Sequence, residues 1–145
     1  MANPIYTTEA HVTGGRAEGH GRSSDGALEV DLRIPKEMGG PGGGTNPEEL
    51  FAVGYAACFE SALGVVARRA KADAADAAIE SKVSLSPNGK GGFVLGVELD
   101  VTLPQVPDAE AAVELVRAAH EVCPYSNATR GNIDVALTAN GAPVE

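Results

Sequence analysis

Apolar and polar residues alternate in several stretches of this chain, and that alternation lays out most of its elements. Leu28, Val30, Leu32 and Ile34 alternate with Glu29, Asp31 and Arg33, and Pro35 follows. This is the period-two pattern of a half-buried strand with a proline stop. Phe93, Leu95, Val97, Leu99, Val101 and Leu103 alternate over a longer stretch that Pro104 and Pro107 close. Ile79, Val83 and Leu85 mark the strand before it, ending at Ser86-Pro-Asn-Gly89, and the Asn88–Gly92 stretch reads as a hairpin loop. Ile133, Val135 and Leu137 mark a last strand. Near the start, residues 4–12 are rich in β formers and stop at Gly14-Gly15. Residues 16–21 read as a second strand, and Ser23-Ser-Asp-Gly26 as a turn.

Two stretches break this period. Gly39-Gly-Pro-Gly-Gly-Gly44 reads as a flexible loop, and Thr45-Asn-Pro-Glu-Glu49 after it as a helix start. Asn46 or Thr45 suits the cap, Pro47 the first helical position, and Glu48 and Glu49 the positive end of the dipole. That helix is expected to reach about Ala72, with Arg68, Arg69 and Lys71 near its negative end. A second helix is capped by Asp108, carries Val113, Leu115, Val116 and Ala119, and ends near Cys123-Pro124. The order βββ-α-ββ-α-β predicts an α+β fold, an antiparallel sheet with two main helices. With 145 residues, no internal repeat and no linker, residues 1–145 read as a single domain.

Composition narrows the function classes. Twenty acidic residues against 11 basic give a formal charge of −9, which argues against nucleic acid as a partner, because phosphate binding rests on clustered Lys and Arg. The start, Met-Ala-Asn-Pro-Ile-Tyr, lacks the basic and apolar regions of a signal peptide. The longest uncharged apolar run, Leu50–Phe59, stops at Glu60 and reads as a buried core helix, so no membrane partner is expected. These features predict a cytoplasmic protein, where a redox-active thiol pair is more plausible than a structural disulfide.

Candidate chemistry centres on two cysteines. Cys58 lies in Leu50-Phe-Ala-Val-Gly-Tyr-Ala-Ala-Cys-Phe59 and Cys123 in Val122-Cys-Pro-Tyr-Ser126. For each, the residues leave two readings, a small buried hydrophobe or a reactive thiol. Cys58 shares a helical face with Phe51, Tyr55, Ala62 and Val65. A thiol there has a raised pKa and needs a cation before it can act as a nucleophile. Arg16, after Gly14-Gly15, is one candidate or an ordinary strand arginine; Arg22, Arg33, Arg68 and Arg69 compete with it. No metal centre is expected, since His11, His20 and His120 lack ligand spacing and the cysteines form no Cys-x-x-Cys pair. No Gly-Lys-Ser/Thr follows the glycine-rich loop, and there is no Gly-x-Ser-x-Gly elbow.

The stretch Thr45–Phe59 is similar to the signature around the reactive cysteine of the organic hydroperoxide resistance proteins, one branch of the Ohr/OsmC superfamily. Val122-Cys-Pro-Tyr-Ser-Asn127 resembles the segment around their second cysteine, and Tyr6–Gly21 and Arg130–Val135 also match. The resemblance implies a thiol peroxidase that acts on bulky organic hydroperoxides, lipid-derived ones included, without a cofactor. Cys58 would be the peroxidatic and Cys123 the resolving cysteine. Arg16 would hold the thiolate and Glu48 would orient Arg16. The resemblance also implies an intertwined homodimer with active sites at the subunit interface, and reduction by lipoyl groups on proteins or another dithiol. Met38, Phe51 and Tyr125, by their motif neighbourhoods, are expected to line an apolar substrate pocket; plain core positions are the other reading.

One spacing conflicts with these roles. On a straight helix Glu48 and Cys58 are roughly 15 Å apart along the axis, so a single Arg16 could hardly serve both. A break near Ala52–Gly54 is therefore expected, with Gly54 as hinge. Two other functions compete with the leading one. The first is the sister OsmC-like branch with another peroxide preference, against which the lack of a helical pattern between Pro35 and Asn46 weighs. The second is a non-catalytic redox-sensing or ligand-binding module.

Overall fold

The alternating segments form strands sorted into two separate sheets in the computed structural model, which describes residues 3–145. The chain divides into two units, one ending at Leu50 and one beginning at Phe51.

In the first, β1 (Ala10–Thr13), β2 (Gly19–Ser23) and β3 (Glu29–Leu32) form an antiparallel meander with Thr13 opposite His20 and Gly21 opposite Val30. The first strand starts later than the β-rich composition suggests. Arg16 lies in the turn between β1 and β2 rather than in a strand. The cause is Gly14, at φ 78°, where a Cβ would stand 2.0 Å from the carbonyl oxygen of Glu18. Only glycine allows so tight a reversal. A short 3₁₀ turn, Lys36–Met38, occupies part of a stretch with no helical pattern. Thr45 then bridges to Leu32, and Asn46 accepts the N–H of Glu49 at 2.8 Å, capping the next helix.

That helix, α1, runs without interruption from Pro47 to Ala70. It is long and apolar enough to cross a bilayer by length and composition alone. Yet Tyr55, Phe59, Ala62, Leu63, Val66 and Ala67 are buried along one side, as in the central helix of a folded core. The second unit also holds β4 (Ala78–Pro87), β5 (Phe93–Thr102), α2 (Ala109–Val122), α3 (Pro124–Thr129), β6 (Val135–Ala139) and β7 (Ala142–Val144). β4 and β5 pair over ten residues, with Val83 opposite Val97. Their inward residues Val97, Leu99 and Val101 join Leu63, Val116, Ala119 and Cys123 in the core. Each buried Leu or Phe contributes roughly 1.5–3 kcal/mol relative to exposure, enough to lock the rotation of α1 and so the direction of Cys58.

The fold is α+β, as the pattern predicts, but the second sheet is not purely antiparallel. β6 pairs β5 in parallel, with Leu99 opposite Leu137. A parallel partner needs a long crossover, and α2 and α3 supply it. Two further elements escape the sequence pattern. The three-residue strand β7 is too short to show a period. The six-residue α3 begins where the proline after Cys123 reads as a stop; proline instead suits a first helical turn, where its missing N–H costs nothing.

Candidate active site

The two thiols lie in the same unit. Cys123 is fully buried, Cys58 is partly exposed, and the Cys123 Sγ–H donates to Cys58 Sγ at 3.5 Å. Both are free. A bond of about 2.05 Å would require the sulfurs to close by roughly 1.5 Å. Cys123 sits in extended conformation at the joint of α2 and α3, and its sulfur accepts the Ser126 N–H at 3.5 Å. Burial pushes the Cys58 thiol pKa up, the Tyr125 backbone N–H pulls it down, and neighbouring Cys123 raises it further. Within residues 51–145 no cation offsets the burial. The direction is the one expected for a thiol on an apolar helix face.

Arg16 meets Glu48 in a two-pronged pair, with Nη1 donating to Oε2 at 2.8 Å and Nη2 to Oε1 at 2.9 Å. The Arg16 side chain is 36% exposed and that of Glu48 16%. Arg16 holds the Glu48 carboxyl below its usual range, chiefly through this hydrogen bonding. Because the folded-state pKa is depressed, the pair stabilises the fold at pH values above the ordinary carboxylate range, and this contribution is lost as pH falls through the lowered pKa. The competing arginines have other surroundings. Arg33 donates to the Gly19 and Leu32 carbonyls, Arg22 lies 4.0 Å from Glu29, and Arg68 and Arg69 are exposed near the end of α1.

The expected break before Cys58 is absent, and α1 is helical through Ala52–Gly54. Gly54 has a different cause. A Cβ there would lie 2.9 Å from the Tyr125 hydroxyl and 3.4 Å from its ring, so the glycine is a seat for Tyr125. Its ring stands 5.8 Å from Phe51 and 5.7 Å from Tyr55, centroid to centroid, and Phe51 meets Tyr55 edge-on at 5.8 Å. Thus Phe51 and Tyr125 adjoin on the turns before Cys58. Met38 ends the 3₁₀ turn and is 54% exposed. Gly54→Ala is expected to cost up to about 2 kcal/mol, because overpacking of about 1–3 kcal/mol outweighs the ~1 kcal/mol helix-propensity gain. Denaturant unfolding measures the sign, and net stabilisation would remove the ring from this role.

The OsmC-like protein family matches residues 40–138. An organic hydroperoxide resistance protein of Xanthomonas axonopodis pv. citri is 52% identical over 143 residues, spanning 95% of this chain and 99% of that one. The chain belongs to the organic hydroperoxide resistance branch of the OsmC-like family. Solved structures agree. A Vibrio cholerae O1 biovar eltor chain described as an organic hydroperoxide resistance protein, with captopril bound in one of its active sites, superposes with TM-score 0.92 at 48% identity over 98% of this chain and 96% of that one. OhrB of Bacillus subtilis superposes with TM-score 0.81 at 48% identity over 92% and 98%. Membership gives the protein a role in organic hydroperoxide resistance and accounts for the match at both cysteine segments.

The protein also contains a polar chain that its sequence does not announce, buried at Tyr55, Ser126 and Thr129 and partly exposed at His120. Tyr55 Oη lies 2.8 Å from Ser126 Oγ and 3.0 Å from Thr129 Oγ1, and His120 Nδ1 lies 2.8 Å from Ser126 Oγ. The residues stand three before Cys58, three before Cys123, and three and six after it. That shared spacing from the cysteines is the signal that points to them. Periodicity alone assigns Tyr55 to the core and leaves His120 as one of three unclustered histidines.

Proposed function

We propose that the protein is a cysteine-based peroxidase that reduces organic hydroperoxides, including lipid-derived ones, to alcohols. The observation that carries this reading is the 3.5 Å approach of two free thiols, one partly exposed and one buried. In the first step the Cys58 thiolate attacks the outer peroxide oxygen. An S–O bond forms, the O–O bond breaks, and the alkoxide leaves as alcohol after taking up a proton. Cys58 becomes a sulfenic acid. In the second step Cys123 attacks that sulfur, giving a Cys58–Cys123 disulfide and water. A dithiol such as a protein-bound lipoyl group then reduces the disulfide by two exchange steps, and no cofactor is needed.

Burial opposes the Cys58 thiolate, so a cation must supply what α1 does not. We assign that role to Arg16, which its ion pair with Glu48 orients. Unbroken helix lies between Glu48 and Cys58, and we propose that the pair serving one Cys58 comes from a second copy of the chain. This is the arrangement of an intertwined homodimer in which each 145-residue domain completes the other's site. Met38, Phe51 and Tyr125 are proposed to hold the apolar part of the substrate; the exposed ring of Tyr125 against Phe51 supports that role. The need for a thiol reductant places the cycle in a reducing compartment, the cytoplasm.

Stopped-flow oxidation by cumene hydroperoxide and by hydrogen peroxide tests the reading. Fast reaction with the organic peroxide and slow reaction with hydrogen peroxide is expected. Free-cysteine rates with both would end the peroxidase reading, and preference for hydrogen peroxide would move the chain to the sister branch's chemistry. Cys123→Ser is expected to permit one oxidation and then stall, with Cys58 passing to sulfinic acid under excess peroxide. Sustained turnover with a dithiol would show that Cys123 is not the resolving thiol for that reductant.

A further inference from the structure

Disulfide closure needs the two sulfurs brought together from different helices, and the fold contains a strut that spans the same gap. Ser126 is at its centre. Its backbone N–H points at Cys123 Sγ, 3.5 Å away. Its side-chain oxygen is held from two sides, by Tyr55 Oη of α1 at 2.8 Å and by His120 Nδ1 of α2 at 2.8 Å. Tyr55 lies one helical turn before Cys58, and His120 one turn before Cys123. Tyr55 and Ser126 are fully buried, and Thr129 is 6% exposed. The residue that aims the resolving sulfur is therefore itself tied to the helix that carries the attacked sulfur.

One direction of donation satisfies every bond in the chain. His120 Nδ1–H donates to Ser126 Oγ, the Ser126 hydroxyl to Tyr55 Oη, the Tyr55 hydroxyl to Thr129 Oγ1, and the Thr129 hydroxyl to the Ser126 carbonyl at 3.3 Å. At Tyr55, Ser126 and Thr129, which are buried, every side-chain hydroxyl then has a partner, and a satisfied buried network favours one geometry. Arg130 completes the outer end, donating from Nη1 to the His120 carbonyl at 2.8 Å. Thus α1, the end of α2 and α3 are joined around the thiol pair by polar bonds, which have a direction that apolar packing lacks.

We propose that Tyr55, Ser126, Thr129 and His120 are positioning residues for the resolving step, holding Cys123 within reach of the Cys58 sulfenic acid. This inference rests on the peroxidase reading above. In that step the S–S bond forms and the Cys58 S–O bond breaks. The hydroxyl leaves with the Cys123 thiol proton as water. The Cys58 sulfur is reduced and the Cys123 sulfur oxidised to the same level, so no outside oxidant or reductant enters. The competing reaction is a second hydroperoxide converting sulfenic to sulfinic acid. The strut decides between the two outcomes by keeping closure fast.

The experiment follows the second step by itself. Reduced protein is mixed with one equivalent of cumene hydroperoxide, and loss of the sulfenic acid is followed by stopped flow and by mass. Misplacement of reacting groups by 1 Å costs on the order of 10²-fold. Closure in Tyr55→Phe and in His120→Ala is therefore expected to slow roughly 10- to 100-fold. The ratio of sulfinic acid to disulfide formed at a fixed excess of peroxide should rise in the same proportion. His120→Asn, which offers an amide nitrogen in place of Nδ1, is expected to recover most of the rate, a response that a loss of general stability would not give. His120 is partly exposed, so its variants test the strut even where Tyr55→Phe weakens the fold. Wild-type closure rates in folded Tyr55→Phe and His120→Ala overturn the strut and leave the peroxidase reading intact. Absence of any Cys58 sulfenic acid in the wild type overturns the peroxidase reading, and the strut falls with it.

Discussion

Cys58→Ser is expected to abolish turnover with every hydroperoxide, leaving only the background rate. A serine hydroxyl does not ionise in the range where a thiolate forms, and oxygen does not cycle through sulfenic acid. Removing the nucleophile of a covalent-catalysis site costs on the order of 10⁶-fold in systems where it has been measured. The substitution is small, and Cys58 is only partly buried, so the variant should fold. Peroxide consumption with a dithiol reductant, together with circular dichroism of the variant, separates loss of chemistry from loss of structure. Activity retained in a folded Cys58→Ser protein would move the nucleophile to another residue. The same variant keeps Cys123 as the only thiol. Cys123 is fully buried, so its reaction with hydroperoxide should be slow.

Arg16→Ala is expected to have the next largest effect, through the thiol's ionisation. Burial pushes the Cys58 pKa up, and the attacking species is the thiolate. An opposite charge within about 4–6 Å lowers the pKa of an acid by about 1–3 units, so its removal should move the rate–pH profile to higher pH by that amount. At neutral pH the oxidation rate constant would then fall about 10- to 1,000-fold, and raising the pH would recover much of it. Stopped-flow rates across pH read this directly. An unchanged profile would take Arg16 out of the site. Glu48→Gln should reproduce part of the effect, because the carboxylate fixes the guanidinium by two hydrogen bonds at 2.8 and 2.9 Å and an amide can accept only one of them. If Arg16 acts on the Cys58 of a second copy, a mixed dimer of Arg16→Ala and Cys58→Ser chains keeps one intact site. Mixing the inactive Cys58→Ser chain with the slowed Arg16→Ala chain should then restore up to about half the wild-type activity per mixed dimer, an outcome a site confined to one chain cannot produce.

Much of the fold is legible in the order of side chains, because the cause is local. The alternation from Phe93 to Leu103 becomes the ten-residue strand β5, whose inward residues Val97, Leu99 and Val101 are buried. Asn46 caps α1, and Asp108 caps α2 by accepting the Glu110 N–H at 3.0 Å. Each of these depends on neighbours a few residues away; the apolar helix face of Cys58 is legible in the same way, but the burial and the Cys123 thiol that raise its pKa come with tertiary packing. The reversal at Gly14 is local too, but composition hides it: the β-rich letters before it give no sign that the strand begins only at Ala10.

The sequence by itself determined the α+β class, most element positions, the thiols as the candidate chemistry, and the family through its two cysteine segments. Tertiary structure alone decided the rest. Strand direction is invisible to a period of two, so only the crossover through α2 and α3 shows β6 running parallel to β5. Gly54 reads as a hinge in one dimension and proves to be the floor under the Tyr125 ring. The Arg16–Glu48 pair spans 32 residues and the thiol pair 65. At such separations the distance between two side chains is set by how buried faces pack, and no local pattern carries it. The strut through Ser126 is of the same kind. Its members are an unexceptional core tyrosine, serine, threonine and histidine until packing brings their polar atoms to hydrogen-bonding distance around the two sulfurs.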